Sequence, residues 1–161
     1  MAKLFLLLGG NQGNRKQVFA KTLELIASTV GSIVKYSSVY ETEPWGFESE
    51  DLFWNQAVIV ETDLDPQAVL LQTQLIEKKL GRVRHSEQYC SRLIDLDLLF
   101  YDDQIIKNDE LEIPHPRIAE RRFVLQPLVE ISPEFIHPTF NKTIAQLLDV
   151  CPDRLIVNKL S

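Results

Sequence analysis

The polarity pattern opens with a short strand-like segment over residues 3–8, apolar throughout after Lys3 and halted by Gly9-Gly10-Asn11. Such a run reads as a buried strand. The glycines that follow, in GGNQGN, are neither a GxGxxG nor a phosphate loop with its Lys-Ser/Thr, so turn chemistry is their expected role. Asn14 and Gln17 resemble a capping box. Phe19, Leu23, Ile26 and Val30 then recur at helical spacing, and Gly31 suits the helix end. Residues 32–41 and 52–62 read as second and third strands, with a Pro- and Gly-containing loop, TEPWGFESED, between them. Asp65-Pro66 opens a second helix that buries Val69, Ile76 and Leu80 and ends at Gly81. A fourth strand spans 93–101. Beyond it the pattern predicts a turn at Asp102-Asp103 and a short returning strand over 104–107. A short helix from Pro127 to Ile131 and a last helix over 143–149, capped by Thr143 and Gln146, complete the chain.

Strand, helix, strand, strand, helix, strand is the ferredoxin-like order. It predicts an α+β fold: an antiparallel sheet core with helices packed on it in α/β/α layers, and a C-terminal extension after Tyr101. The length of 161 residues fits one domain over 1–161.

The fourth strand changes the picture from fold to chemistry. Alternate side chains of a strand share a face. Ile94, Leu96, Leu98 and Phe100 would form one apolar face, with Asp95 and Asp97 side by side on the other, ahead of Leu99 and Tyr101. Two carboxylates on a greasy strand need compensating charge. They either lie on a solvated face beside surface arginines or hold magnesium together with substrate phosphates. Arg82, Arg84 and Arg92, directly upstream, favour the second reading, because guanidinium groups bind phosphate oxygens through paired hydrogen bonds.

Other candidates are weaker alone. Phe53 and Asn55 share a strand face, so a ring and a carboxamide could stack on and hydrogen-bond a flat heterocycle, or simply pack in the core. Trp45 and Phe47, in the loop broken by Pro44 and Gly46, either tuck onto the core or cover a ligand. Gln74 and Glu77, one helical turn apart, either face solvent or flank the arginine-rich loop. His115, fixed between two prolines and followed by Arg117, Arg121, Arg122 and Phe123, makes a second anion-binding segment plausible.

Composition narrows the classes. The net charge of −6 argues against general binding to nucleic acid or an anionic membrane. No stretch is long enough to span a bilayer, and the N-terminal run lacks a signal-peptide pattern. Cys90 and Cys151, without Cys-x-x-Cys spacing, point to neither a disulfide framework nor a zinc site and fit a reducing cytoplasm. Two rival readings stand beside a phosphate-transfer enzyme. One is a metal-dependent phosphohydrolase using the same carboxylates. The other is a non-catalytic ferredoxin-like module for RNA, against which the charge and the lack of an aromatic RNP-type motif both count.

Nearly the whole chain resembles the 6-hydroxymethyl-7,8-dihydropterin pyrophosphokinases of folate biosynthesis. The likeness rests on LLLGGNQGN, YETEPWG with FWNQAV after it, GRVR, RLIDLDLLFY and IPHPRIAERRFVLQPL, in that order and spacing. It implies transfer of pyrophosphate from ATP to the pterin hydroxymethyl group with release of AMP, by a cytoplasmic enzyme expected to be a monomer. By position it implies that Asp95 and Asp97 hold two magnesium ions and that Arg82 and Arg92 are mobile catalytic arginines on the triphosphate. Arg84, Tyr89, His115 and Arg121 fall at phosphate- or nucleotide-binding places, and Gln74, Glu77 and Leu98 where the family lines its nucleotide site. Thr42, Pro44, Trp45, Phe53, Asn55, Asp95 and Phe123 match the pterin pocket, whose two aromatic rings sandwich the ligand. The chain departs from the family at Gly10, where serine is frequent. It departs again at Gln88, Tyr89, Cys90 and Ser91, where a basic residue and a Gly-Pro usually precede the key arginine.

Overall fold

The computed structural model describes residues 1–42, 52–81 and 93–160. Their centre is a six-stranded sheet. The strands are β1 (Ala2–Gly10), β2 (Ser32–Tyr36), β3 (Tyr40–Thr42), β4 (Phe53–Thr62), β5 (Asp95–Tyr101) and, near the C-terminus, β8 (Val157–Lys159). The order across the sheet is β5-β1-β4-β3-β8, with β2 also paired to β4, and every pairing is antiparallel. With β2 and β3 counted together, the order is fourth-first-third-second, and the sheet is antiparallel as the strand–helix pattern predicts.

β1 explains why the sheet has helices on both sides. Leu4, Leu6 and Leu8 face one core, with Val58 and Val60 of β4 and Ile94, Leu96 and Leu98 around β5. Helices α1 (Arg15–Thr29) and α2 (Pro66–Gly81) cover it through Phe19, Ile26, Val69 and Ile76. Phe5 and Leu7 face a second core with Ala57, Ile59, Leu99 and Phe100. There α3 (Arg122–Ile131) and α4 (Ile144–Asp149) close the layer with Val124, Leu125, Leu128, Ile131, Ile144 and Leu147. A strand buried on both faces has no polar alternation to show, hence the continuous apolar run. The Asn14 carboxamide accepts the Gln17 N–H at the start of α1, and Thr143 with Gln146 forms the complete capping box of α4.

Five local expectations are corrected. Gly9 and Gly10 belong to β1 rather than to a turn. Gly10 is small because its strand runs against the Leu93 carbonyl, 2.6 Å from where a Cβ would stand. Residues 32–41 form two strands, because Ser37 interrupts the ladder: its N–H still donates to the Ala57 carbonyl at 2.9 Å, but its hydroxyl, in place of its carbonyl, accepts the Ala57 N–H at 3.0 Å. Phe100 does not share a face with Leu98. A β-bulge sets both Leu99 and Phe100 opposite Phe5, so Phe100 turns into the second core and Tyr101 into the first. The returning segment is only β6 (Ile106–Lys107), and it pairs with β7 (Glu112–Ile113) in a separate ribbon. Pro127 lies inside α3 instead of opening it. Burial of Val124, Leu125, Leu128 and Ile131 offsets the backbone hydrogen bond that proline cannot make.

The loop before α4 is built around His137, which is only 3% exposed. Its Nδ1 accepts the Thr139 and Phe140 N–H groups at 3.1 and 3.3 Å, and its ring stacks on Phe140. Burial pushes the imidazole pKa down from 6.5 to about 4. The unfolded chain therefore takes up this proton first as pH falls. Stability from the neutral ring is complete above pH 6.5 and is lost between 6.5 and about 4, with a slope of up to about 1.4 kcal/mol per pH unit. Substituting His137→Asn should flatten the pH 6.5 to 5 part of the stability curve measured by chemical denaturation. An unchanged slope would place the acid sensitivity elsewhere.

Candidate active site

The strand ends carry polar groups where the two cores stop. Across the sheet, Tyr40, Asn55, Gly9 and Asp95 lie in one row of paired residues, on β3, β4, β1 and β5. Gly9 is the gap in this row: a Cβ there would stand 3.0 Å from Asn55 Oδ1. Two residues along, Ala57, Leu7 and Asp97 form the next row. Because β5 keeps its alternation up to the bulge, Asp95 and Asp97 do share a face, which is the one carrying α3. Asp95 is exposed and Asp97 half-buried.

Over these rows opens a cavity of about 250 Å³. Its walls are Leu7 and Gly9 of β1, Thr42 of β3, Phe53 and Asn55 of β4 and Asp95 and Asp97 of β5, together with Arg121, Phe123 and Leu155. Phe53 and Asn55 reach it together because they are two apart on one strand. Arg121 and Phe123 arrive from the start of α3, and the Arg121 guanidinium sits 5.6 Å from the centre of the Phe123 ring. The cavity thus has aromatic groups, a nearly buried carboxamide, two carboxylates and a cation.

His115 lies alongside rather than in this cavity. It lines a neighbouring groove with Ile105, Pro114, Pro116 and Phe140. Its backbone N–H donates to the Leu99 carbonyl at 3.1 Å, and its Nδ1 accepts the Arg117 N–H at 3.2 Å, which leaves any ring proton on Nε2. Burial pushes its pKa below 6.5, opposed by the nearby negative charge of Asp97 and reinforced by Arg121.

Glu77, Leu98 and Gln74 lie on the α1–α2 side. Glu77 is buried, and its Oε2 accepts the Leu96 N–H of β5 at 2.7 Å. Leu98 is buried in the first core, and Gln74 is exposed beside Gln67, Leu70, Leu71 and Glu110. Arg82, Arg84, Tyr89 and Arg92, with Pro44 and Trp45, lie outside the described residues. Leu7, read only as part of the buried first strand, Gly9 and Leu155 are cavity residues that the sequence reading missed. The glycine pair that closes β1 was a signal for Gly9; nothing in the sequence marks Leu155.

Asp95 and Asp97 offer hard oxygen donors on one strand face beside open space. Magnesium suits such a pair, since it takes one or two carboxylates and fills its remaining positions with water and substrate phosphate. Among the described residues no group of three His, Cys, Asp or Glu side chains could hold a metal unaided.

Residues 5–133 match the profile of the family described as 7,8-dihydro-6-hydroxymethylpterin-pyrophosphokinase (HPPK). The chain belongs to this family. Its activity is pyrophosphoryl transfer to hydroxymethyldihydropterin in folate synthesis, with ATP as the family's donor. It is 41% identical over 141 residues to the 2-amino-4-hydroxy-6-hydroxymethyldihydropteridine pyrophosphokinase of Porphyromonas gingivalis, covering 86% of this chain and 95% of that one. The enzyme of the same name from Aquifex aeolicus is 38% identical over 146 residues, 91% of this chain and 90% of that protein. The folic acid synthesis protein fol1 of Pneumocystis carinii is 39% identical over 150 residues, and there the chain spans 93% of itself but a fifth (20%) of the longer protein. The wild-type HPPK-DHPS structure of Plasmodium falciparum shares the fold, with a TM-score of 0.75 at 19% identity. That match covers 92% of this chain and 44% of the Plasmodium chain. No helix among the described residues is long and apolar enough to cross a membrane.

Glu77 provides a check on the support beneath β5. Glu77→Ala leaves the buried Leu96 N–H without this acceptor and should cost about 1–3 kcal/mol of folding stability. Glu77→Gln keeps an acceptor oxygen and should cost less. Equal losses in the two variants, measured by urea denaturation, would show that the contact does not matter.

Proposed function

We propose that the cavity between Phe53 and Phe123 holds the pterin and that Asp95 and Asp97 hold magnesium with the ATP phosphates at its edge. The observation that carries this reading is the convergence of separate segments on one cavity: β1, β3, β4, β5, the start of α3 and the stretch holding Leu155. Phe53 and Phe123 offer aromatic faces to a flat ring. Asn55, 5% exposed, offers both a donor and an acceptor to the ring edge. A site that hydrogen-bonds its ligand in this way rejects analogues that leave the amide unpaired.

The phosphates take the open side of the cavity. Arg121 faces them from α3, His115 offers a neutral Nε2–H, and Arg82, Arg84 and Arg92 supply further positive charge from residues 82–92. Tyr89 belongs to the same stretch, while Pro44 and Trp45 belong to the pterin side. Gln74, Glu77 and Leu98 border the nucleotide from the α2 side. The pterin hydroxyl oxygen bonds to the β-phosphorus of ATP as the bond from that phosphorus to the AMP oxygen breaks, and the hydroxyl proton is released. The chemistry supplied by two magnesium ions, when bound, is neutralisation of phosphate charge and a lower pKa for the attacking hydroxyl. The protein's own share is alignment: in phosphoryl transfer, positioning and electrostatics outweigh covalent catalysis. The same reading takes the chain as a monomeric, cytoplasmic enzyme.

Incubation with ATP, magnesium and the hydroxymethyl dihydropterin should yield AMP and the pterin pyrophosphate in equal amounts. AMP or phosphate release without the pterin would point instead to a phosphohydrolase. Asp97→Asn preserves shape but removes charge, so turnover should fall at least a hundredfold, the scale of losing a key electrostatic group, with little change in stability. Near-normal turnover at modest magnesium would remove Asp97 from the metal site. Phe123→Ala should weaken pterin binding by about 1–3 kcal/mol, the scale of a base stacked on an aromatic ring, and leave ATP binding nearly intact. A core role would instead cost about 3–5 kcal/mol of folding stability and harm both ligands alike.

A further inference from the structure

The matched family span ends at residue 133, yet the cavity takes a wall, Leu155, from beyond it. One side chain accounts for the position of that wall. Asp153 Oδ2 accepts the Arg122 N–H, the first of α3, at 3.0 Å, and Oδ1 accepts the Leu155 N–H at 2.9 Å. The Arg122 Nε–H returns a bond to the Asp153 carbonyl at 2.9 Å. The α3 cap residue Arg121 makes no side-chain cap hydrogen bond, so this carboxylate serves as a cap from a distant part of the chain. Its charge also suits the positive end of the helix.

Arg122 sits between two cavity residues, Arg121 and Phe123. The Asp153 carboxylate therefore connects three cavity residues: two through the backbone of Arg122 and one through the backbone of Leu155. We propose that Asp153 is a positioning residue for the pterin, and that Leu155, held by it, limits the size of the ring the cavity accepts. This rests on the assignment of the cavity to the pterin. The C-terminal segment is then part of substrate recognition and not only the lead into the edge strand β8.

The test is steady-state kinetics of the full chain, varying pterin and ATP separately. Asp153→Ala frees the wall, so the KM for pterin should rise roughly tenfold while kcat changes less than about twofold. Asp153→Asn keeps one acceptor oxygen and should recover part of the loss, a recovery that merely looser packing would not show. Leu155→Ala leaves the staple intact. It should raise the KM for hydroxymethyl dihydropterin and lower the KM for a ring-alkylated pterin relative to the unaltered protein. An unchanged pterin KM in both alanine variants would overturn the proposal. So would equal loss in kcat and in both KM values in Asp153→Ala with no recovery in Asp153→Asn. If the unaltered protein makes no pterin pyrophosphate, the cavity assignment itself fails. Activity in the unaltered protein with insensitive variants removes only the role of Asp153 and Leu155.

Discussion

Burial of β1 on both faces is the constraint on which the rest of the structure depends. A strand that is apolar on both sides must have a helical layer on each, and it must sit inside the sheet with a partner at each edge. Those requirements fix β4 and β5 as its neighbours and put α1 and α2 opposite α3 and α4. They also fix where polar chemistry can occur. The two cores consume most of the strand's length, so functional groups gather at its end, from Leu7 onward. There β1 changes from leucine to glycine, with Asn55 and Asp95 beside Gly9, and Asp97 stands beside Leu7 one row earlier.

The same constraint separates the tasks of the two faces. The α1–α2 face braces β5 through Glu77, which accepts a backbone N–H from the residue between the two aspartates. The α3 face holds the cavity. Glu130 of α3 ties that helix to the sheet by accepting from the Tyr40 hydroxyl at 2.7 Å and from Ser38 at 3.0 and 3.1 Å. Burial alone would raise the Glu130 pKa, but these hydrogen bonds override it and hold the carboxyl below its usual range. Burial and the adjacent Glu130 charge push the Tyr40 hydroxyl up, so the pair remains one anion and one neutral donor across the physiological range. Tyr40 is the cross-strand neighbour of Asn55. The helix that brings Arg121 and Phe123 is thus held against the strands that bring Thr42, Phe53 and Asn55.

What was legible in the sequence is what strict alternation conveys. Asp95 with Asp97, and Phe53 with Asn55, fall on shared faces because a strand repeats every two residues, and both pairs line the cavity. What was not legible is what breaks that rule. The bulge at Leu99 and Phe100 reverses the phase of β5 after the aspartates, and no residue type announces it. Ser37 ends a strand through its side chain, which mimics a backbone acceptor. Pro127 reads as a helix start by local preference, but tertiary packing of α3 overrides it. Gly9 looked like turn chemistry because the requirement that keeps it small, the Asn55 amide on the next strand, lies 46 positions away.

The bulge has its own logic. Without it, Leu99 would continue the aspartate face and Phe100 would enter the first core beside Leu98. With it, Leu99 and Phe100 both enter the second core, where Phe100 meets Phe5 edge-on at 5.4 Å and Phe135 at 4.7 Å. Tyr101 then points to the other face and donates its hydroxyl to the Leu64 carbonyl at 2.8 Å, ahead of α2. One extra residue therefore places two consecutive side chains, Leu99 and Phe100, in the α3 core and still sends Tyr101 to the α2 side, immediately after β5 has presented two carboxylates to the cavity. The aspartates can be exposed and half-buried at the start of β5 because the other end of the same strand is secured on both sides.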